Sequence, residues 1–111
     1  MEQSELMRLV IQALERTGIP YMITGSQASA YYGEPRFTRD IDIVADIKPG
    51  QVDQFITFFP SNEFYCDKEM IKEEIERRGQ FNIIHTAQYY SYRFRLENLR
   101  DPYKDNPIFP N

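Results

Sequence analysis

Two short runs of the chain decide its predicted fold: Ile23-Thr24-Gly25-Ser26 and, after a spacer, Thr38-Arg39-Asp40-Ile41-Asp42-Ile43-Val44. Side chains along a strand alternate between its two faces, so Asp40 and Asp42 are predicted to share one face while Ile41 and Ile43 share the other. Two carboxylates on one face repel each other unless a positive group lies between them. A divalent cation that also binds phosphates is one such group. The alternative is an edge strand with one face in water.

The dipeptide Gly25-Ser26 follows the first apolar run directly. A glycine at this point lets the backbone turn and approach a ligand closely. If a helix begins at Ser26, its free backbone N–H groups and its dipole favour a phosphate, with the Ser26 hydroxyl as a further donor. The same dipeptide is also common as an ordinary turn and helix N-cap. Together with the two aspartates, it predicts a site for a phosphate-bearing ligand and a metal.

Apolar spacing along the chain predicts helices interleaved with strands, which makes this an α/β (α+β) domain with a small mixed β-sheet and flanking helices. A single domain is predicted over residues 1–96, followed by an irregular tail at 97–111 that contains three prolines. The predicted helices are 4–17, 27–32, 49–59 and 68–78, and the predicted extended segments are 20–24, 39–45, 64–66, 81–85 and 90–96.

Composition narrows the classes of function. The chain has 111 residues, a formal net charge of −4 and one cysteine, Cys66, so it has neither an internal disulfide nor a cysteine-based zinc cluster. The negative net charge argues weakly against a dedicated nucleic-acid-binding protein. The acidic start is unlike a signal peptide, and no apolar run approaches the roughly 20 residues of a membrane span. We therefore expect a cytoplasmic protein with no membrane association.

The paired motifs resemble the signature of the nucleotidyltransferase superfamily with the DNA polymerase β-like fold. Within that superfamily the chain is similar to the AbiEii-like and minimal nucleotidyltransferases. The resemblance covers residues 4–85 and rests on Tyr21-Met22-Ile23-Thr24-Gly25-Ser26, on Tyr32-Gly33-Glu34-Pro35-Arg36-Phe37-Thr38-Arg39-Asp40-Ile41-Asp42-Ile43-Val44, and on the later run Phe81-Asn82-Ile83-Ile84-His85.

The resemblance implies a function and a role for each matching residue. Gly25 and Ser26 would contact the triphosphate of an NTP, and Asp40 and Asp42 would be catalytic and hold two Mg²⁺ ions. Arg36 is a candidate partner of the triphosphate, although a local ion pair with Asp40 or Glu34 explains it as well. The implied reaction transfers a nucleoside monophosphate to an acceptor hydroxyl on a protein or nucleic acid.

One departure from the family pattern bears on that reaction. The resemblance implies a third carboxylate on the strand that follows residues 81–85, where it would share a metal and activate the attacking hydroxyl. Counting from His85 places that position near Tyr92-Arg93-Phe94, where the sequence has no acid. Asp46, Glu63 and Glu97 are the other acids to consider. The alternative is therefore a catalytically degenerate or truncated module, or one whose reading frame changed near His85.

Such a module would work through a partner protein, for example as a toxin–antitoxin component, because some relatives belong to such systems. The aromatic group Tyr89, Tyr90, Tyr92 and Phe94 is expected to pack across a hairpin, and a homo-oligomer formed through it is a further expectation.

Overall fold

The computed structural model describes residues 2–24 and 40–99. Within them the chain forms the mixed sheet with flanking helices that the sequence predicts. The helices are α1 (Gln3–Thr17), α2 (Val52–Ile56) and α3 (Lys68–Arg77), and a 3₁₀ turn spans Pro49–Gln51. The strands are β1 (Tyr21–Ile23), β2 (Asp40–Ala45), β3 (Phe64–Tyr65), β4 (Gln80–His85) and β5 (Tyr90–Leu96).

Local sequence accounts for the ends of the two longer helices. Helix α1 ends at Gly18, whose φ of 75° is the left-handed conformation that glycine adopts at little cost. Helix α3 begins after Asp67, whose side chain accepts hydrogen bonds from the amides of Glu69 and Met70. Both features agree with the sequence-based prediction.

The helix predicted from Pro49 to Phe59 is shorter in the structure. After the 3₁₀ turn, only Val52–Ile56 is α-helical. The Thr57 hydroxyl donates a 2.6 Å hydrogen bond to the Gln54 carbonyl, and the amides of Phe58 and Phe59 bond three residues back. A hydroxyl that binds a helix carbonyl competes with the backbone for that acceptor, and hydrogen bonds to the third residue back wind the helix more tightly. The last turn therefore departs from α-helical geometry. Phe59 is buried nonetheless.

The five strands form one sheet in the order β1-β2-β5-β4-β3. Strands β2 and β5 are parallel and lie side by side in its interior, whereas the β1–β2, β4–β5 and β3–β4 pairs are antiparallel. The sheet is therefore mixed. The parallel pair also carries the two aspartates, since both lie on β2.

One face of the sheet packs against the three described helices. The core between them contains Ile41 and Ile43 of β2 and Tyr92, Phe94 and Leu96 of β5, all at most 5% exposed. Within the sheet, the Phe94 ring stacks on Phe81 of β4 at 5.0 Å, and its edge-on contact with Phe55 of α2 at 5.7 Å joins the sheet to the helices. The alternate residues of each strand therefore point to the opposite face.

Candidate functional site: the acidic pair on strand β2

Asp40 and Asp42 occupy the first and third positions of β2, on the sheet face opposite the helices. Their neighbours Ile41 and Ile43 are 2% and 0% exposed and lie in the core. Asp40 is exposed, and the Asp42 side chain is 28% exposed. The alternation predicted from the sequence is therefore present, and both side chains lie on one side of the sheet and are at least partly exposed.

Strand β5 places an arginine directly beside Asp42. In the parallel register, Asp40 pairs with Ser91 and Asp42 pairs with Arg93. The Arg93 guanidinium lies 3.6 Å from Oδ1 of Asp42, which is an ion pair too long for a hydrogen bond. That Oδ1 atom is buried and has no hydrogen-bond partner in the described structure. Asp42 thus has a positive neighbour but an incompletely satisfied oxygen.

Arg93 lies in the segment near Tyr92-Arg93-Phe94 where, by counting from His85, the resemblance leads us to expect a third carboxylate. A guanidinium stays protonated at neutral pH and has no lone pair available for a metal. Among residues 2–24 and 40–99, no group of three or more His, Cys, Asp or Glu side chains could hold a metal ion. The described part of this face therefore offers two carboxylates and an arginine rather than three carboxylates.

The other acids considered from the sequence lie elsewhere. Asp46 follows the far end of β2, where its carboxylate contacts the Lys48 ammonium at 3.0 Å and accepts a hydrogen bond from the Leu99 amide. Glu97 follows the same end of β5, and its amide donates to the Ala45 carbonyl. Glu63 precedes β3, at the opposite edge of the sheet. Four residues of strand span roughly 13 Å, so neither Asp46 nor Glu97 reaches Asp42.

The predicted phosphate-contacting residues Gly25, Ser26 and Arg36 lie outside the described residues. The residue before Gly25 is described, and its backbone contacts the acidic strand. The Thr24 amide donates a 3.3 Å hydrogen bond to the Asp42 carbonyl. The chain leading into Gly25 therefore leaves β1 at the end of the sheet where Asp40 and Asp42 lie.

Sequence reasoning did not select Arg95 or Asn82 for this face. Arg95 is exposed on β5, two residues after Arg93, and Asn82 pairs with Arg93 from the β4 side. The Asn82 side-chain amide donates a 2.9 Å hydrogen bond to the Ser91 hydroxyl. The alternation of Tyr92, Phe94 and Leu96 with the two arginines was the available signal. This alternation predicts which face of the strand each arginine occupies. Which strands lie beside β5 is seen only in the folded structure.

The histidine and the cysteine lie away from the acidic pair. His85 is 5% exposed at the end of β4, and its ring meets Phe64 edge-on at 5.1 Å. Cys66 lies just after β3, where burial and then the neighbouring Asp67 raise the pKa of its thiol to about 11. A raised pKa disfavours the nucleophilic thiolate. Neither residue therefore contributes to the candidate site.

A cavity of about 270 Å³ lies at the carboxyl ends of β2 and β5, opposite the end that carries Asp40. Its lining includes Asp46, Lys48, Arg78 and Glu97. The Asp46 carboxylate is already engaged by Lys48 and the Leu99 amide. Charges of both signs line this cavity, and the acidic pair takes no part in it.

Comparison with known proteins returned no matching family model, no matching curated protein and no matching solved structure. In the part of the chain that the structure describes, none of the helices has the length and apolar character needed to cross a membrane.

Proposed function

We propose that this protein is a nucleotidyltransferase-like domain that binds an NTP together with one Mg²⁺ ion and does not transfer the nucleotide. Asp40 and Asp42 hold the ion, and Gly25 and Ser26, with Arg36, contact the phosphates. The observation that carries the proposal is the register of Asp42 with Arg93. The two carboxylates provide a metal site of the kind that the resemblance implies, and the arginine removes the part that transfer requires.

The chemistry of the two carboxylates fits a single Mg²⁺. Protein sites commonly bind this ion through one or two carboxylates, with phosphates and water as the remaining ligands. Oδ1 of Asp42 has no hydrogen-bond partner among the described residues, and Arg93 lies beside it at 3.6 Å, too far for a hydrogen bond, so the acceptor capacity of this oxygen is not fully used. When bound, the ion would neutralise charge on the phosphates.

The hydrogen bond between Thr24 and Asp42 supports the phosphate-binding part of the proposal. It joins the residue that precedes Gly25-Ser26 to the strand that carries the acids. The described residues that lead up to Gly25 thus pair with the strand that carries the acids. A phosphate held by Gly25 and Ser26 could then also contact a metal held by Asp40 and Asp42.

Arg93 argues against transfer. Activation of an acceptor hydroxyl needs a base or a second metal, and a permanently protonated guanidinium supplies neither. We therefore infer that the domain acts by binding, as an interaction module whose association with a partner protein, such as the other component of a toxin–antitoxin pair, depends on the bound nucleotide.

Thermal unfolding with ATP, GTP, CTP and UTP, each with Mg²⁺ or with EDTA, tests the binding. We expect at least one NTP with Mg²⁺ to raise the Tm, because a ligand that binds only the folded state stabilises it. Asp42→Asn should abolish the Mg²⁺-dependent part of this increase. The matched control Asp53→Asn, which changes an exposed aspartate on α2, should retain it. No increase with any NTP would overturn the proposal.

Incubation with NTPs labelled at the α-phosphate tests the absence of transfer. Bacterial RNA, bacterial protein extract and the protein itself would each be supplied as acceptors. We expect no label in any acceptor. Label transfer that disappears in the Asp40→Asn variant would show that the protein is a nucleotidyltransferase and would overturn this part of the proposal.

A further inference from the structure

Strand β5 carries two arginines on the sheet face opposite the helices. Arg93 and Arg95 alternate with the buried residues Tyr92, Phe94 and Leu96, so both project from the same face. Strand β5 is the third of five strands in the sheet. The two guanidinium groups therefore rise from the middle of the sheet rather than from its rim.

The positive charge of this pair is only partly balanced. Arg93 faces Asp42, at 3.6 Å, whereas Arg95 pairs in register with Val44 on one side and Gln80 on the other. Neither of these neighbours is charged. Within residues 2–24 and 40–99, no carboxylate forms an ion pair with Arg95. The N–H donors of this exposed arginine are therefore not taken up by any carboxylate of the described residues, which leaves them for a ligand.

Strand β4 adds neutral hydrogen-bonding groups beside the arginines. Gln80 lies opposite Arg95, and Asn82 lies opposite Arg93. Gln80 is exposed, and the Asn82 amide bonds to Ser91. The β4 side chains opposite the two arginines are therefore uncharged, and the Glu74 carboxylate that accepts a hydrogen bond from the Gln80 backbone amide is itself paired with Arg77.

We propose that Arg93 and Arg95 bind a short polyphosphate across this face of the sheet, namely the triphosphate of the nucleotide. The inference rests on the proposed function because it assigns further residues to that nucleotide site. Arginine binds phosphate oxygens through paired N–H donors, which gives both strength and orientation. Side chains two residues apart on a strand are roughly 7 Å apart, a separation that a triphosphate can bridge.

The surrounding charges favour a short ligand over a nucleic acid. Asp40 and Asp42 lie on the β2 side of the pair, and the whole chain has a net charge of −4. A long polyanion would have to pass over the acidic residues, where it would be repelled. A triphosphate can instead direct one end to the arginines and the other to a cation held by the acids.

Isothermal titration calorimetry at low salt with EDTA tests the inference, because the arginines need no metal to bind an anion. Inorganic tripolyphosphate, ATP and adenosine are the probes. We expect tripolyphosphate and ATP to bind and adenosine not to bind. Arg95→Gln should weaken both interactions roughly tenfold, the loss expected for one charge-assisted pair of hydrogen bonds. Arg95→Lys should weaken them less, because it keeps the charge.

The matched control is Arg8→Gln, which removes an exposed arginine from α1 on the other side of the sheet. It should bind like the wild type. Circular dichroism would verify that each variant folds, which we expect because Arg95 is exposed. Equal tripolyphosphate binding by wild type and Arg95→Gln would overturn the inference. Binding of a 20-nucleotide RNA more tightly than tripolyphosphate would also overturn it, in favour of a nucleic-acid surface.

The two proposals fail in different ways. If Arg95→Gln leaves all binding unchanged while Asp42→Asn abolishes NTP binding with Mg²⁺, the arginine pair is not part of the site and the proposed function stands. If tripolyphosphate and ATP bind equally and Mg²⁺ adds nothing, the arginine site exists and the nucleotide and metal site does not.

Discussion

Asp42 and Arg93 occupy opposed positions on the parallel strands β2 and β5, and their charged groups lie 3.6 Å apart. Their side chains are 28% and 42% exposed, so water screens much of the attraction. The pair is therefore worth at most about 1 kcal/mol to the folded protein. Its main effect is on the charge of this face, because it places a guanidinium directly beside the Asp42 carboxylate.

Arg93→Asp should make the stability of the folded protein depend on Mg²⁺. The substitution places a third carboxylate beside the first two, and repulsion among them should lower the free energy of unfolding by about 1–2 kcal/mol without metal. Thermal unfolding with EDTA and then with Mg²⁺ measures this. We expect Mg²⁺ to raise the Tm of this variant more than that of the wild type. Arg93→Gln is the control, because it loses the attraction without adding an acid. Equal Mg²⁺ responses of the two variants would refute the prediction.

Tyr21 should make stability sensitive to alkaline pH. Its hydroxyl donates a 2.7 Å hydrogen bond to the Glu15 carboxylate, and burial, followed by that bond and the charge of Glu15, raises the tyrosine pKa from 10.0 to about 12. The folded state keeps the proton that the unfolded chain loses first. The contribution of Tyr21 is therefore complete below pH 10 and declines as pH rises towards 12.

Tyr21→Phe provides the comparison, because phenylalanine has no proton to lose. Urea denaturation of both proteins between pH 8 and pH 12 measures the effect. Above about pH 10, the free energy of unfolding of the wild type should fall relative to that of Tyr21→Phe. The remaining tyrosines titrate in both proteins and cancel in the difference. A difference that stays constant over this range would contradict the assigned pKa.

Phe94 should be among the residues most important for stability. Its side chain is 0% exposed, stacked on Phe81 and in edge contact with Phe55. Phe94→Ala should cost about 3–5 kcal/mol of unfolding free energy, measured by urea denaturation, because it removes apolar contacts and leaves a cavity. Phe94→Leu should cost less than half as much. Glu73→Ala, at an exposed position of α3, should change stability by less than about 0.5 kcal/mol. A loss of unfolding free energy for Phe94→Ala that is no larger than that for Glu73→Ala would show that Phe94 does not join the sheet to the helices.

Features set by neighbouring residues could be predicted from the sequence. The apolar spacing of Leu6, Val10 and Leu14 predicted α1, and Gly18 predicted its end, because capping depends on a few adjacent residues. Asp67 predicted the start of α3 for the same reason. The length of the helix after Pro49 was overestimated, since the bond from Thr57 to Gln54 is a local competitor that apolar spacing does not reveal.

For the pair Asp40 and Asp42, the sequence predicts the face of the strand but not the residues that lie beside it. The sequence by itself determined that Asp40 and Asp42 share a face, because a strand alternates its side chains every two residues whatever surrounds it. Only the tertiary structure decided that Arg93 stands beside Asp42. The partner and register of β2 depend on Ile41 and Ile43 packing beside Tyr92 and Phe94 in a core shared with three helices. Pairing between strands distant in sequence is fixed by how the whole core packs, and no local pattern encodes it.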